Sequence, residues 1–258
     1  MTNLFYTQDR LEKSHPSHFT LEGQEALHAH KVLRIAEGDR IHATDGKGWI
    51  CSGIVESVSK EFLTAKADKC WFCPPPDPEL ALAIGLIKKR DRLEFAVEKG
   101  VELGVSHILV YRGEHSEKKS VRADRLESAA QSAMKQSLRP WLPSIHICDS
   151  LAEVISLGED GSFGRGENTP FEMMVADKNA YQHVPDRTEL GLTPGISLIN
   201  EPAAGNQFKL FCIVGPEGGF SEKERALMKS REVKPVSLGS YRLRTETAVI
   251  SIAARVCL

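Results

Sequence analysis

The 258-residue chain lacks a long hydrophobic run. Its longest apolar stretch, LALAIGLI, is far too short to span a bilayer. The first residues, MTNLFYTQDR, have no basic-then-apolar secretory pattern, so the cytoplasm is the expected location. Charge of one sign is also missing. With 33 Lys/Arg against 35 Asp/Glu the net charge is −2, which excludes a protein that holds nucleic acid by bulk charge but permits a local basic patch. Cysteine is sparse, and six in a chain this long suit a reducing compartment. Cys70 and Cys73 form one C-x-x-C with no second Cys/His pair nearby to complete a zinc site, so no metal is expected. No G-x-x-x-x-G-K-[ST] occurs, and no G-x-G-x-x-G follows a strand-like run. These absences argue against a P-loop nucleotidase and against the usual dinucleotide fold.

What is present divides at CPPPDPE, residues 73–79, where four prolines interrupt any helix or central strand. Before it, Arg40–Thr44 and Trp49–Val58 read as strands around the turn Asp45-Gly46-Lys47-Gly48, and Glu61–Ala67 as a further strand. Thr20–Leu33 reads as a helix, with Leu21, Ala26, Ala29 and Leu33 on one side. A small β-rich domain over residues 1–72 is expected.

After the prolines the rhythm changes. Leu80–Ile87 is a continuous apolar run, as in a buried strand. Residues 91–103 carry Leu93, Ala96, Val97 and Val101 at helical spacing, with Gly104 as C-cap. His107–Tyr111, Ser144–Ile147, Glu172–Ala176, Gly195–Ile199, Lys209–Val214 and Pro235–Leu238 read as strands. Arg122–Leu138, Ser221–Ser230 and Thr245–Val256 read as helices. Alternation of this kind predicts a mostly parallel α/β domain over residues 78–258. The Gly-rich stretch 158–170 reads as a surface connection.

Two stretches stand apart. In IVGPEGGFSEKE, residues 213–224, an apolar strand enters a turn holding Gly215, Gly218 and Gly219, and Ser221 with Glu224 forms a capping box that starts a helix. The turn is either a bare strand–helix connection or a loop that lets a ligand approach the backbone at the carboxyl end of a strand. It carries Glu217 and no lysine, which suits a neutral or cationic ligand better than a triphosphate. In LGSYRLRTETA, residues 238–248, Arg242 and Arg244 precede the last helix, facing an anionic partner or solvent, and Thr245 is a candidate N-cap. Thr247, Ala248, Ser251, Ala253 and Ala254 make parts of that helix small enough for close packing, within the chain or against a second subunit.

Together, GPEGG at 215–219 and LG-x-x-RLRTETA at 238–248 resemble the signature of the RsmE family, ribosomal RNA uridine-N3 methyltransferases of the SPOUT class. The segment EKGVELGV (98–105), Val32-Leu33-Arg34 followed by Gly38, and Asp45-Gly46 extend the resemblance over nearly the whole chain. It implies a PUA-like RNA-binding β-barrel over residues 1–72 and a trefoil-knotted α/β domain over the rest, a topology that ordinary folding rules would not offer. It implies a homodimer that binds S-adenosylmethionine between Val214–Gly219 and Leu238–Thr245. The cofactor would meet Val214, Gly215, Gly218, Gly219, Leu238, Gly239, Leu243 and Thr245, with Ala176 as a third wall.

Arg244 is then the first candidate for stabilising the uracil, and Glu217 a weaker candidate base, since neither signature holds a histidine. Residues 84–139 contain 12 Lys/Arg and 8 Asp/Glu, an excess that favours an RNA face at Lys88, Lys89 and Arg90. Lys118, Lys119 and Arg122 form a second cluster, and Arg242 stands at the mouth of the last helix. Arg10, Lys31 and Arg34 are the candidate contacts of the N-terminal domain, joined by Arg139 of the second helix. Where the family has Glu-Gln-x-x-Arg, this chain has Lys135-Gln136-Ser137-Leu138-Arg139, which puts a role for an acidic residue in doubt and offers a further phosphate contact. Other readings are methylation of another RNA, a non-catalytic RNA-binding or ribosome-assembly factor on the same fold, and a nucleotide-binding α/β protein. Five of the nine histidines fall within residues 15–42 with no role assigned.

Overall fold

The computed structural model describes residues 3–11, 17–118, 120–165, 169–177 and 208–258. Two compact units emerge: residues 1–75 with 131–142, and residues 76–130 with 143–258. Among the described residues no helix is long and apolar enough to cross a membrane.

In the first unit, strands β1 (Phe5–Tyr6), β2 (His18–Glu22), β3 (Arg40–Thr44), β4 (Trp49–Val58) and β5 (Phe62–Phe72) form a sheet in the order β1-β3-β4-β5-β2. The β3–β4 hairpin turns where Asp45-Gly46 predicts it, and Asp45 Oδ1 accepts from the amides of Lys47 (2.8 Å) and Trp49 (3.3 Å). The sheet curls so that its edges communicate. Thr7 Oγ1 donates to Thr20 O at 2.7 Å, and the Thr20 amide donates to Asp9 Oδ2 at 2.6 Å. Phe5, Phe19, Leu21, Ile41, Leu63 and Ala65 fill the interior.

The expected helix over Thr20–Leu33 is corrected. His18–Glu22 is a strand, with Phe19 and Leu21 alternating inward against β5. The helix α1 begins only at Gln24 (Gln24–Leu27) and runs on as a π-helical turn, His28–Val32. The cysteine usage that suits a reducing compartment does not keep every thiol free. Cys51 and Cys70 are direct cross-strand partners of β4 and β5, with Cα atoms 4.1 Å apart, and are joined as a disulfide.

In the second unit, β6 (Glu79–Gly85), β7 (His107–Tyr111), β8 (Ser144–Cys148), β9 (Glu172–Ala176), β10 (Lys209–Val214) and β11 (Lys234–Val236) form an entirely parallel sheet, ordered β11-β9-β10-β6-β7-β8. Every residue of β6, β7 and β10 is buried, as the continuous apolar runs predict for strands covered on both faces. Ala81, Ala83, Leu109, Tyr111, Phe211 and Ile213 meet α4 (Leu151–Asp160) and α5 (Glu222–Ser230) on one face. On the other face α6 (Thr245–Cys257) packs on β6 and β10, and α2 (Arg90–Leu103) packs on α6. The small residues Ala248 and Ala253 are thus used within the chain. Helix α3 (Ala123–Gln136) begins in this unit, and its residues from 131 onward belong to the first.

The stretch read as a loop from residue 158 begins as helix. Gly158 lies inside α4, packed against Phe211, and the connection starts only at Gly161. The strand expected at 195–199 lies outside the described residues.

The amino ends of the parallel strands carry a buried ionic network. Glu79, wholly buried at the start of β6, accepts from His107 Nε2 and the Arg165 amide, both at 2.6 Å, with Lys209 Nζ 3.9 Å from its second oxygen. His107 Nδ1 lies 2.7 Å from Ser144 Oγ, and Phe163 and Phe171 pack edge-on against the imidazole. Burial pushes the Glu79 carboxyl up, but the bonds from His107 and Arg165 outweigh it and hold it below the ordinary range. Burial dominates at His107 and lowers its pKa, so the ring is neutral.

Candidate active site

At the opposite end of the sheet the strands open into loops. β9 ends at Ala176, β10 at Val214 and β11 at Val236. After β10 the chain turns through Gly215-Pro216-Glu217-Gly218-Gly219, closed by a bond from the Gly219 amide to Pro216 O at 2.9 Å. Ser221 then caps α5, with both halves of the predicted capping box formed. After β11 the chain runs through Leu238–Arg244 into α6.

The first loop is held from several sides. The Tyr111 hydroxyl donates to Val214 O at 3.2 Å. Burial, reinforced by the Glu224 charge, pushes that hydroxyl's pKa far up, so the donor stays protonated. Thr245 Oγ1 donates to Gly215 O at 2.9 Å, and Arg242 Nη2 donates to Glu217 O at 3.1 Å. The Glu217 carboxylate accepts from the Lys88 amide at 3.2 and 3.4 Å. Glu224 Oε1 accepts from the Glu114 amide at 3.0 Å. Close approach matters twice: a Cβ at Gly85 would lie 2.4 Å from Pro216 N, and one at Gly218 would lie 2.8 Å from His115 Cβ. Thr245 is therefore corrected. It is the first helical residue rather than the N-cap, a place taken by Arg244, and its hydroxyl clamps the two loops together.

Between the loops lies a cavity of about 600 Å³. The structure brings Ala176, Val214, Gly215, Gly218, Gly219, Leu238, Gly239, Leu243 and Thr245 into its wall, together with Glu217, Arg242 and Arg244. The wall also holds Ala248, the last residue of the second signature, and Arg92, Asp177, Phe220, Arg225 and Tyr241, to which the motifs assign no role. Only packing reveals them, because Arg92 comes from α2 and Asp177 from the end of β9.

The charges of this wall divide by partner. Arg225 pairs with Asp177 at 3.4 Å, and Arg92 with the buried Glu246 at 3.5 Å. Arg244 is exposed, and its guanidinium bonds no described residue.

Of the other expected contacts, Lys88 pairs with Glu117 at 2.5 Å and Arg90 with Glu94 at 3.2 Å, while Lys89 caps α2 and is exposed. Arg10, Lys31 and Arg34 are exposed and Arg139 half-buried, all in the first unit. Lys135 is not a free phosphate contact, because Glu25 takes its ammonium. Of the second cluster, Arg122 pairs with Asp124 at 2.6 Å, and Lys119 lies outside the described residues.

The cavity tests whether a bulky, partly apolar nucleoside fits. Its volume falls in the range of small-molecule sites, roughly 300–1,000 Å³. Leu238, Leu243, Val214 and Ala248 supply apolar wall, and the backbone at Gly219 and Gly239 is bare, with open space where a side chain would stand. The residues present fit an adenosyl group.

A looped cavity at the carboxyl ends of parallel strands places this α/β unit among the ligand-binding α/β folds. Residues 74–257 match the family model of the RNA methyltransferase domain, and residues 21–68 match that of the RNA methyltransferase PUA domain. The chain belongs to this RNA methyltransferase family. It is 27% identical over 258 residues to the ribosomal RNA small subunit methyltransferase E of Rickettsia conorii, covering 99% of this chain and 95% of that one. It is 30% identical to a probable rRNA-methyltransferase from Porphyromonas gingivalis, whose crystal structure matches with a TM-score of 0.74 over 97% of this chain and 95% of that one. It also shares the fold of a ribosomal RNA small subunit methyltransferase E from Neisseria gonorrhoeae bound to S-adenosyl methionine, at 24% identity, TM-score 0.76, and 98% and 96% coverage.

Proposed function

We propose that this protein uses S-adenosylmethionine to methylate N3 of a specific uridine in small-subunit (16S) ribosomal RNA. The observation that carries the reading is the cavity, which gathers both signature loops and the first turn of α6 around one space. The family membership of residues 74–257 supports the same chemistry.

Val214, Gly215, Gly218, Gly219, Leu238, Gly239, Leu243 and Thr245 would hold the cofactor, with Ala176 closing one side. Bound there, S-adenosylmethionine supplies an electrophilic methyl group. Uracil N3 carries a proton that must leave before the nitrogen can act as a nucleophile. Arg244, exposed on the cavity wall with its guanidinium uncommitted among the described residues, stabilises the negative charge that then develops on the uracil. Glu217, on the same wall, is the candidate acceptor of the proton, its carboxylate held by the Lys88 amide.

The RNA is gripped by its phosphates through Lys88, Lys89, Arg90 and Arg242, and through Arg10, Lys31, Arg34 and Arg139 of a PUA-like barrel over residues 1–72. The catalytic domain over residues 78–258 is a trefoil knot that works as a cytoplasmic homodimer, acting on rRNA within the 30S subunit.

The test is methyl transfer from labelled S-adenosylmethionine to small subunits lacking uridine methylation, followed by nucleoside mass spectrometry. N3-methyluridine in 16S rRNA is the expected product. A different methylated nucleoside, or label only in another RNA, would overturn the assignment, and binding without transfer would favour an assembly factor.

A further inference from the structure

Tyr241 is the most exposed of the large apolar side chains among the described residues, at 85%, yet it lies on the wall of the cavity. An aromatic ring left in water forgoes the burial that aromatic residues usually contribute. Its backbone is not loose. Arg242, next in the chain, bonds Glu217 O, Thr245 bonds Gly215 O, and Ser237 Oγ accepts from the Gly239 amide at 3.2 Å. The hydroxyl bonds no described residue. The ring is thus presented on an anchored loop, flanked by the exposed cations Arg242 and Arg244. Phe220, half-buried, adds a second aromatic to the same wall, with the Arg225 guanidinium 5.9 Å from its ring centre.

Aromatic faces interleaved with arginines are how proteins hold unpaired nucleotides: the cations take phosphates and the ring stacks on a base. We propose that Tyr241 is a base-stacking residue. It stacks on the nucleotide beside the target uridine, keeps the strand unpaired at the mouth of the cavity, and so positions the target base for entry. The proposal rests on the reading of the protein as an RNA methyltransferase.

The experiment compares wild type with Tyr241→Ala, Tyr241→Phe and Tyr241→Trp on unmethylated small subunits. It measures KM and kcat for methyl transfer, direct affinity for the subunit, and cofactor affinity by calorimetry. Stacking predicts that Tyr241→Ala weakens subunit binding and raises KM roughly tenfold or more, while cofactor affinity stays within about twofold. Tyr241→Phe and Tyr241→Trp retain wild-type KM, because a ring face and not the hydroxyl is required. An unchanged KM and subunit affinity in Tyr241→Ala would overturn the proposal. Equal loss of cofactor affinity would overturn it too, making the ring a cover over the cofactor. Failure of the underlying reading shows separately, as absent methyl transfer by the wild type. In that case subunit affinity alone decides for or against stacking.

Discussion

The two ends of the parallel sheet in the second unit treat charge in opposite ways. At the amino end, Glu79, His107 and Lys209 are buried, and both His107 and Lys209 pair with Glu79. At the carboxyl end, Glu217, Arg242 and Arg244 are exposed along a cavity whose turns are held by backbone carbonyls and amides. The amino end spends its ionic groups on closing the fold, where a missing partner leaves a buried charge uncompensated. The carboxyl end shares its structural bonds between neutral ones, such as Tyr111 to Val214 O and Thr245 to Gly215 O, and charged ones at Arg242, Glu217 and Glu224, and it leaves the Arg244 guanidinium without a described partner. One sheet thus separates stability from chemistry along its strands.

Substitutions at the two ends should therefore fail differently. Glu79→Ala leaves His107, Arg165 and Lys209 around an empty anion position and should cost about 3–5 kcal/mol of stability, read by urea denaturation. Any loss of activity should follow the folded fraction. Arg244→Ala should do the reverse: kcat falls roughly 100- to 1,000-fold, with the denaturation midpoint and cofactor affinity unchanged in calorimetry. Gly85→Ala drives a methyl into Pro216 N and should weaken cofactor binding about tenfold through displacement of the loop, an apparent loss of about 1.4 kcal/mol.

Acid should strike the amino end first. His107 has its pKa lowered by burial, so as pH falls below the ordinary histidine value of 6.5 the unfolded chain takes up a proton that the folded chain refuses, and stability falls. Glu79, also lowered, adds a loss in the same direction below its ordinary 4.5. The slope from one such proton is at most about 1.4 kcal/mol per pH unit. Urea midpoints measured from pH 7 to 5 should decline, and His107→Gln should flatten that decline. The smallest effect is expected of Tyr111→Phe, which deletes one bond to Val214 O and should cost about 1 kcal/mol, seen as a small shift in the denaturation midpoint.

Much of this arrangement is legible in the sequence, for physical reasons. His107–Tyr111 and Lys209–Val214 are strands over the very residues read, because strands buried on both faces need largely apolar runs, and Glu172–Ala176 matches its reading although it is only partly buried. The Ser221/Glu224 capping box marks the start of α5 for the same kind of local reason. Local signals also mislead. Leu21, Ala26 and Ala29 sit at helical intervals, but Phe19 and Leu21 pair inward on a strand, so period two wins over the first of these positions. Helix α4 was hidden by glycines at 158 and 161, although Ser150 and Glu153 carry its capping signature. At the site, the motifs supply two loops. The resemblance adds Ala176 as a third wall, but Arg92 and Asp177 on that side, and the bond that makes Thr245 a clamp, exist only once distant segments pack. Lys135 shows the same limit, since its partner Glu25 lies 110 residues away.

The central claim is that the cavity between the two loops is a cofactor site. Calorimetric titration of S-adenosylmethionine into the wild type and into Gly218→Arg, with folding of both checked by circular dichroism, tests it most directly. The variant drives a side chain against His115 and into the turn. Saturable binding to the wild type that a folded Gly218→Arg protein loses is the expected result. Equal binding by both folded proteins would place the cofactor elsewhere and contradict it.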